Sequence, residues 1–284
     1  MEIDRAELKH QAKERMAIAD PKFWVIALAY IAMTTGVTML VSLIPSPSAG
    51  PSPLPAIDTF RLFFQLLLRL YTVVVNFGLC LWALWTYRQL NPGLNSLMQG
   101  FSVAGRVLLM ELGIFLRTMG WYFLVASALS VPVIVLMVSS ASAGVGMTVL
   151  LLYFIALIIT LIILSLRYAL APYLLADRPD DGPSASIYRS VTLMRRWKMD
   201  LFKLELSFIG WEAINFVLSA GVILFFLFRA GLLTTADIGS TEWLLQWNSV
   251  IYSTPVTILS SLVTIPVSLW LIPYRQTARA GFYD

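Results

Sequence analysis

Glu205 and Glu212 stand seven residues apart in LFKLELSFIGWEAINF, residues 201–216, a stretch otherwise apolar enough to lie in a bilayer. Seven helical residues turn through about 700°, so the two carboxylates share one helix face. An unpaired charge at mid-bilayer costs about 2.5–3.5 kcal/mol on insertion scales, so both are expected to face other helices and find partners. The counter-charges available inside apolar stretches are Arg117 and Arg167, with Glu111 as a further acid and Asn76 and Asn215 as amides. Matching depth along the helices pairs Arg117 with Glu212, each about 15 Å into its span. The same reasoning sets Arg167 near Glu111 or Glu205 and Asn76 near Asn215. These seven residues form an expected buried polar network. It serves either as structural glue between helices or as a path for protons or a polar solute.

Other chemistries lack their residues. The single histidine is His10, near the N-terminus, and the single cysteine is Cys80. A zinc site using histidine, a Ser-His dyad or a Cys-His pair within the spans is therefore not available. No aspartate falls in the core of an apolar run, and no GxxxxGK[ST] loop is present. No catalytic residue, metal site or cofactor is expected, and the protein reads as non-enzymatic.

The elements that must position the charges follow from composition. With 58% hydrophobic and 13% charged residues and a mean hydropathy of +0.78, the 284-residue chain is too apolar for a soluble domain. A span needs about 20 apolar residues. Such runs lie near 23–44, 70–88, 107–138, 147–172, 202–228 and 250–273. The expected fold class is an all-α integral membrane protein, a six-transmembrane-helix bundle with amphipathic interfacial helices. Residues 1–21 read as a cytoplasmic amphipathic N-terminal helix and 22–284 as one polytopic domain. The segments that share a side with the N-terminus hold fifteen Lys and Arg, against three in the opposite segments. The positive-inside rule then makes both termini cytoplasmic. The net charge of +4 is thus a topology signal, and no nucleic-acid partner is expected. The first apolar run is too long for a signal-peptide core and reads as an uncleaved span.

Several surface segments carry patterns of their own. DRAELKHQAKERMAIADP offers Asp4 and Glu7 as a capping-box variant, a face of Leu8, Ala12, Met16 and Ala19, and a stop at Asp20-Pro21. That face rests either on the inner membrane surface or on the protein itself. In 184–198, Ile187, Val191 and Met194 cluster on one side of a helix. Arg189, Arg195, Arg196 and Lys198 make its basic face, whose expected partner is anionic head groups at the inner leaflet. PSPSAGPSPLPAID reads as an extended connector. In the following FRLFFQLLLRLY, Arg61, Gln65 and Arg69 form one polar stripe suited to head groups. APYLLADRP, IPYRQTARA and WTYRQLNPG form a weak internal echo.

The order AELKHQAK, SIYRSVTLMRRWKMDLFKLE, LSFIGW and IPYRQTARAGFYD resembles DUF975, a family of bacterial integral membrane proteins of unknown function. The matching positions are Ser190 and Met194, Leu206 through Trp211, Pro273 and Tyr274, Thr277 and Ala278, and Phe282 and Tyr283. Arg195-Arg196-Trp197-Lys198 departs from the Gly-x-Lys expected after the methionine. The resemblance implies six spans in a bacterial inner membrane and supplies no reaction or substrate. The functional expectation is an accessory, assembly or transport-associated component with a membrane-protein partner. The alternative is a self-contained transporter or channel using the Glu/Arg path.

Overall fold

The computed structural model describes residues 5–42, 55–139, 143–233 and 239–284, and every regular element among them is helical. In chain order they are α1 (Arg5–Ile18), α2 (Phe23–Ile31), a π-helical turn (Ala32–Gly36), α3 (Val37–Ser42), α4 (Pro55–Tyr87), α5 (Asn95–Ser102), α6 (Ala104–Ser139) and α7 (Ala143–Tyr168). They continue as α8 (Ala171–Asp177), a 3-10 turn (Pro179–Asp181), α9 (Gly182–Leu206), α10 (Ile209–Arg229), α11 (Thr241–Ile251) and α12 (Thr254–Tyr283).

Among the described residues, five stretches are long and apolar enough to cross a membrane: Leu62–Tyr87, Ala104–Ser139, Gly144–Asp177, Ile209–Arg229 and Thr254–Tyr283. Phe23–Met39, joined to α1 across an 88° bend, makes a sixth when the bent pair is taken as one span. Several boundaries differ from expectation: the second span begins at Leu62 instead of 70, and the fourth runs on to Asp177 instead of 172. The fifth span begins at Ile209 instead of 202, because α9 carries its buried face onward through Leu201 and Leu204 and breaks at Ser207 and Phe208. The sixth helix runs on to Tyr283 instead of 273, so IPYRQTARA continues it as helix. APYLLADRP forms the separate short α8 and WTYRQLNPG leaves its helix at Tyr87, so the three echoes take three conformations. The proline-rich connector and Asp4 fall largely on 43–54 and 1–4, outside the described residues.

The chain divides into two compact units. The first comprises Met1–Ser102, Leu204–Phe282 and Asp284. All four residues of the expected α1 face, Leu8, Ala12, Met16 and Ala19, are buried against the protein's own side chains. Self-packing is thus the arrangement adopted by that helix. α4 and α5 meet backbone to backbone. A Cβ on Gly78 would lie 2.4 Å from the Leu97 carbonyl oxygen, and one on Gly100 would lie 2.7 Å from that of Val74. Only glycine permits this approach. Around it, Leu79, Trp82, Leu84 and Leu97 are fully buried. Near the other end of α12, Gly281 lies under the Tyr87 ring, whose hydroxyl donates to Gln11 Oε1 at 2.9 Å.

The second unit comprises Val103–Lys203 and Tyr283. α6 and α7 pack as a helical hairpin whose flanks expose Phe123, Leu124, Val131, Ile134, Leu151 and Ile158. α9 buries Ser186, Ile187, Ser190, Met194 and Leu201 on one face, the 3.6-residue stripe expected of it. Ile187 sits against Gly113 of α6, and Ser190 Oγ donates to the Arg167 carbonyl at 3.2 Å. The Tyr283 ring stacks on Tyr173, and its hydroxyl donates to Asp177 at 3.1 Å.

Candidate functional site

The carboxylates that open the sequence argument find their partners on α12, within the first unit. Arg275 and Arg279 lie four residues apart, so α-helical geometry stacks them on one face. Arg275 donates from Nε to Glu205 Oε2 at 2.7 Å and from Nη1 to Glu212 Oε1 at 2.9 Å. Arg279 donates from Nε to the other oxygen of Glu205. One carboxylate thus holds two guanidiniums, and one guanidinium bridges two carboxylates. The Glu205 side chain is 16% exposed and Glu212 47%, so the inner end of this ladder is shielded and the outer end is wet.

The electrostatics follow from that shielding. Burial opposes ionisation of Glu205, but the hydrogen bonds and positive charge of Arg279 and Arg275 outweigh it and hold the carboxyl below its ordinary value. Glu205 precedes the span that begins at Ile209.

An aromatic cluster stands beside the ladder. Phe208, in the break between α9 and α10, meets the Tyr274 ring edge-on at 5.1 Å. Tyr274 packs on Trp270 at 4.6 Å, and Trp270 on Trp211 at 4.7 Å. Two lysines of α1 cover it. Lys9 Nζ sits 4.5 Å from the centre of the Phe208 ring and donates to the Ser207 carbonyl at 3.3 Å. Lys13 Nζ lies 5.5 Å from the Tyr274 ring. Cations over aromatic faces gain about 0.5–1 kcal/mol at exposed sites and more when desolvated. Burial, helped by the like charge of Lys13, lowers the pKa of Lys9.

The arrangement is an ionic and aromatic clamp. It joins α1, the α9–α10 break and the last turns of α12. Its acids are engaged by arginines, so it offers no free general base. Its sequence-predicted members are Glu205 and Glu212. Arg275, Arg279, Lys9, Lys13 and Trp270 are additions. The spacing of Arg275 and Arg279, repeated by Trp270 and Tyr274 on the same helix, is the signal that could have found them.

The other expected network residues sit elsewhere. The arginine on Glu212 is Arg275 and not Arg117, which donates instead to the Gly113 carbonyl of its own helix at 3.2 Å. The deciding arginines lie beyond residue 273, the expected end of the last span. Arg167 is half-buried, with its guanidinium 5.9 Å from the neighbouring Tyr168 ring. Glu111 is half-buried, with no ion pair among the described residues of its unit. Asn76 accepts from the Tyr30 hydroxyl, not from Asn215, whose Oδ1 is buried without a hydrogen-bond partner among the described residues. On α9, Arg189 pairs with Asp181, Arg195 and Arg196 are exposed, and Lys198 is half-exposed.

Phe208, Trp211 and Tyr274 of the clamp are motif positions of LSFIGW and Pro-Tyr, and Thr277 and Ala278 are fully buried one turn further on. The family model described as protein of unknown function (DUF975) matches residues 1–284. The chain belongs to DUF975. No curated protein and no solved structure matches it. For this DUF975 chain the family likeness spans both units, and in the first unit its motif residues Phe208, Trp211 and Tyr274 come together from distant parts of the sequence in the aromatic cluster beside the ladder.

Proposed function

We propose that this DUF975 protein is a six-span integral protein of the bacterial cytoplasmic membrane with both termini cytoplasmic. In this reading it is a non-enzymatic accessory, assembly or transport-associated component. The observation that supports this best is the commitment of Glu205 to Arg275 and Arg279 and of Glu212 to Arg275. A carboxylate that carries a proton or a solute through a cycle must release its counter-charge. One fixed by two guanidiniums from a single helix is suited to holding that helix in place. The basic residues Arg195, Arg196 and Lys198 of α9 would meet anionic head groups on the cytoplasmic side, where positive charge collects. The alternative, a transporter running through a Glu/Arg path, would need these two carboxylates free.

Gentle solubilisation of the tagged protein from its native membrane, followed by native mass spectrometry, tests the proposal. A stoichiometric protein partner supports an accessory role. A solitary protein that moves a solute in liposomes, with flux lost in Glu212→Gln at unchanged folded yield, would replace it with the transporter.

A further inference from the structure

A groove in the first unit, between the π-helical turn after α2, α4 and α12, is walled by hydroxyls from three helices. Tyr30, Thr34, Thr38, Thr72, Ser261 and Thr264 line a cavity of about 430 Å³. Thr38 and Thr72 also line a second cavity, of about 390 Å³, which contains Gln65 and Arg69. The two cavities are therefore neighbours, with Thr38 and Thr72 in the wall of each. Gln65, Arg69, Thr72 and Asn76 fall at i, i+4, i+7 and i+11 along α4, one helix face. The π-helical turn Ala32–Gly36 carries Thr34 on the opposite wall, and such turns are frequent at functional sites.

The polarity of the walls is defined by where the protons go. Thr34 donates to the Tyr30 carbonyl at 2.7 Å, Thr38 to that of Thr34 at 2.8 Å, and Thr72 to that of Leu68 at 2.8 Å. Ser261 donates to the Thr257 carbonyl at 2.9 Å, and Thr264 to that of Ser261 at 3.0 Å. Tyr30 donates to Asn76. A hydroxyl has one hydrogen, so these six oxygens offer the groove lone pairs only, while Thr35 and Ser268, which also line it, can accept or donate. Back-bonding of this kind satisfies any single hydroxyl in an apolar helix. It does not explain why three helices converge their hydroxyls on one cavity whose neighbour, sharing Thr38 and Thr72, is lined by an arginine. Arg69 is exposed and has no carboxylate partner among the described residues. The complement of this site carries hydrogen-bond donors at one end and a negative charge at the other. Tyr30 to Thr38 spans about 12 Å of helix, the scale of a small polar head.

We propose that the groove binds a hydroxyl-bearing phosphate ester, with the phosphate on Arg69 and Gln65 and the ester's hydroxyls donated to the threonine and serine oxygens. A phospholipid with a glycerol head group and a soluble glycerol phosphate share this chemistry. The lipid source rests on the membrane-embedded reading above; the soluble source does not.

The full chain is placed in nanodiscs of equimolar phosphatidylglycerol and phosphatidylcholine for native mass spectrometry, and is titrated with glycerol 1-phosphate in detergent by calorimetry. Selective retention of phosphatidylglycerol supports the site with a lipid as its source. Binding of glycerol 1-phosphate supports it with a soluble one. In either arm Arg69→Gln lowers binding about tenfold or more, as loss of a charged hydrogen bond does, whereas Arg69→Lys keeps most of it. The double variant Thr34→Val, Thr264→Val, folded as judged by gel filtration, lowers it several-fold. Binding of neither probe overturns the proposal. Unchanged binding in the threonine double variant also overturns it, because Arg69 would then act only as an interfacial charge.

Discussion

α4 and α6 are comparable in apolarity and opposite in burial. Each carries a stretch apolar enough to cross a membrane, yet half of the first is buried by protein and none of the second. Hydropathy reports the tendency to leave water, not what will take water's place. α4 has Gly78 in register with Gly100 of α5, which brings two backbones together and leaves room for Trp82 and Leu97 to interlock beside them. On α6, Gly120 has nothing within 4 Å of the position of its Cβ. The two regions differ in their charges as well. The first unit gathers two acids on two arginines, whereas in the second Arg117 turns back to its own helix and Glu111 has no ion pair among the unit's described residues.

The contrast breaks most visibly at the glycines. Gly78→Val forces a side chain onto the Leu97 backbone and is expected to cost about 3 kcal/mol or more in SDS unfolding of the purified protein, the upper range of overpacking. Gly120→Ala, by helix propensity, is expected to gain up to about 1 kcal/mol in the same measurement. Equal effects at the two positions would erase the distinction between a protein-covered and an uncovered helix.

The charges give the next effect. Glu205→Gln leaves Arg275 and Arg279 without their shielded negative charge; buried pairs lose about 3–5 kcal/mol when one partner goes, and the one-third exposure of the arginines reduces this to about 2 kcal/mol. Glu111→Gln, in the second unit, is expected to lie within about 0.5 kcal/mol of wild type or to stabilise.

Acid sharpens the same point. Glu205 ionises more readily when folded, so its contribution is complete above the ordinary carboxyl value of 4.5 and is lost as pH falls through the lower folded value. Acid unfolding of wild type should therefore contain a step below pH 4.5 that Glu205→Gln lacks. The smallest effects belong to the exposed charges. Glu212→Gln is expected to cost about 0.5–1 kcal/mol and Arg117→Gln less than about 0.5 kcal/mol, both read from the unfolding midpoint.

Apolar runs placed most of the spans because twenty-residue hydrophobic stretches have few other solutions. The buried faces of α1 and α9 were legible for a similar reason, since Leu8, Ala12 and Met16, and Ile187 and Met194, recur at helical spacing. The partners of Glu205 were not. Arg275 and Arg279 follow the apolar part of α12, where the positive-inside rule explains them without any contact, and only the continued helix past Pro273 turns them toward the acids. α5 was hidden because eight residues leave too short a periodicity; its anchor is a glycine pair distant in sequence. The hydroxyl groove escaped notice because its threonines and serines read, one helix at a time, as tolerated polar residues.

The claim that the carboxylates are tied to the C-terminal helix is tested most directly by a double-mutant cycle on Glu205→Gln and Arg275→Gln, followed by reversible SDS unfolding. The account predicts that the double variant is more stable than the sum of the single losses allows, with a coupling of about 1–3 kcal/mol. Strict additivity of the two changes would contradict it.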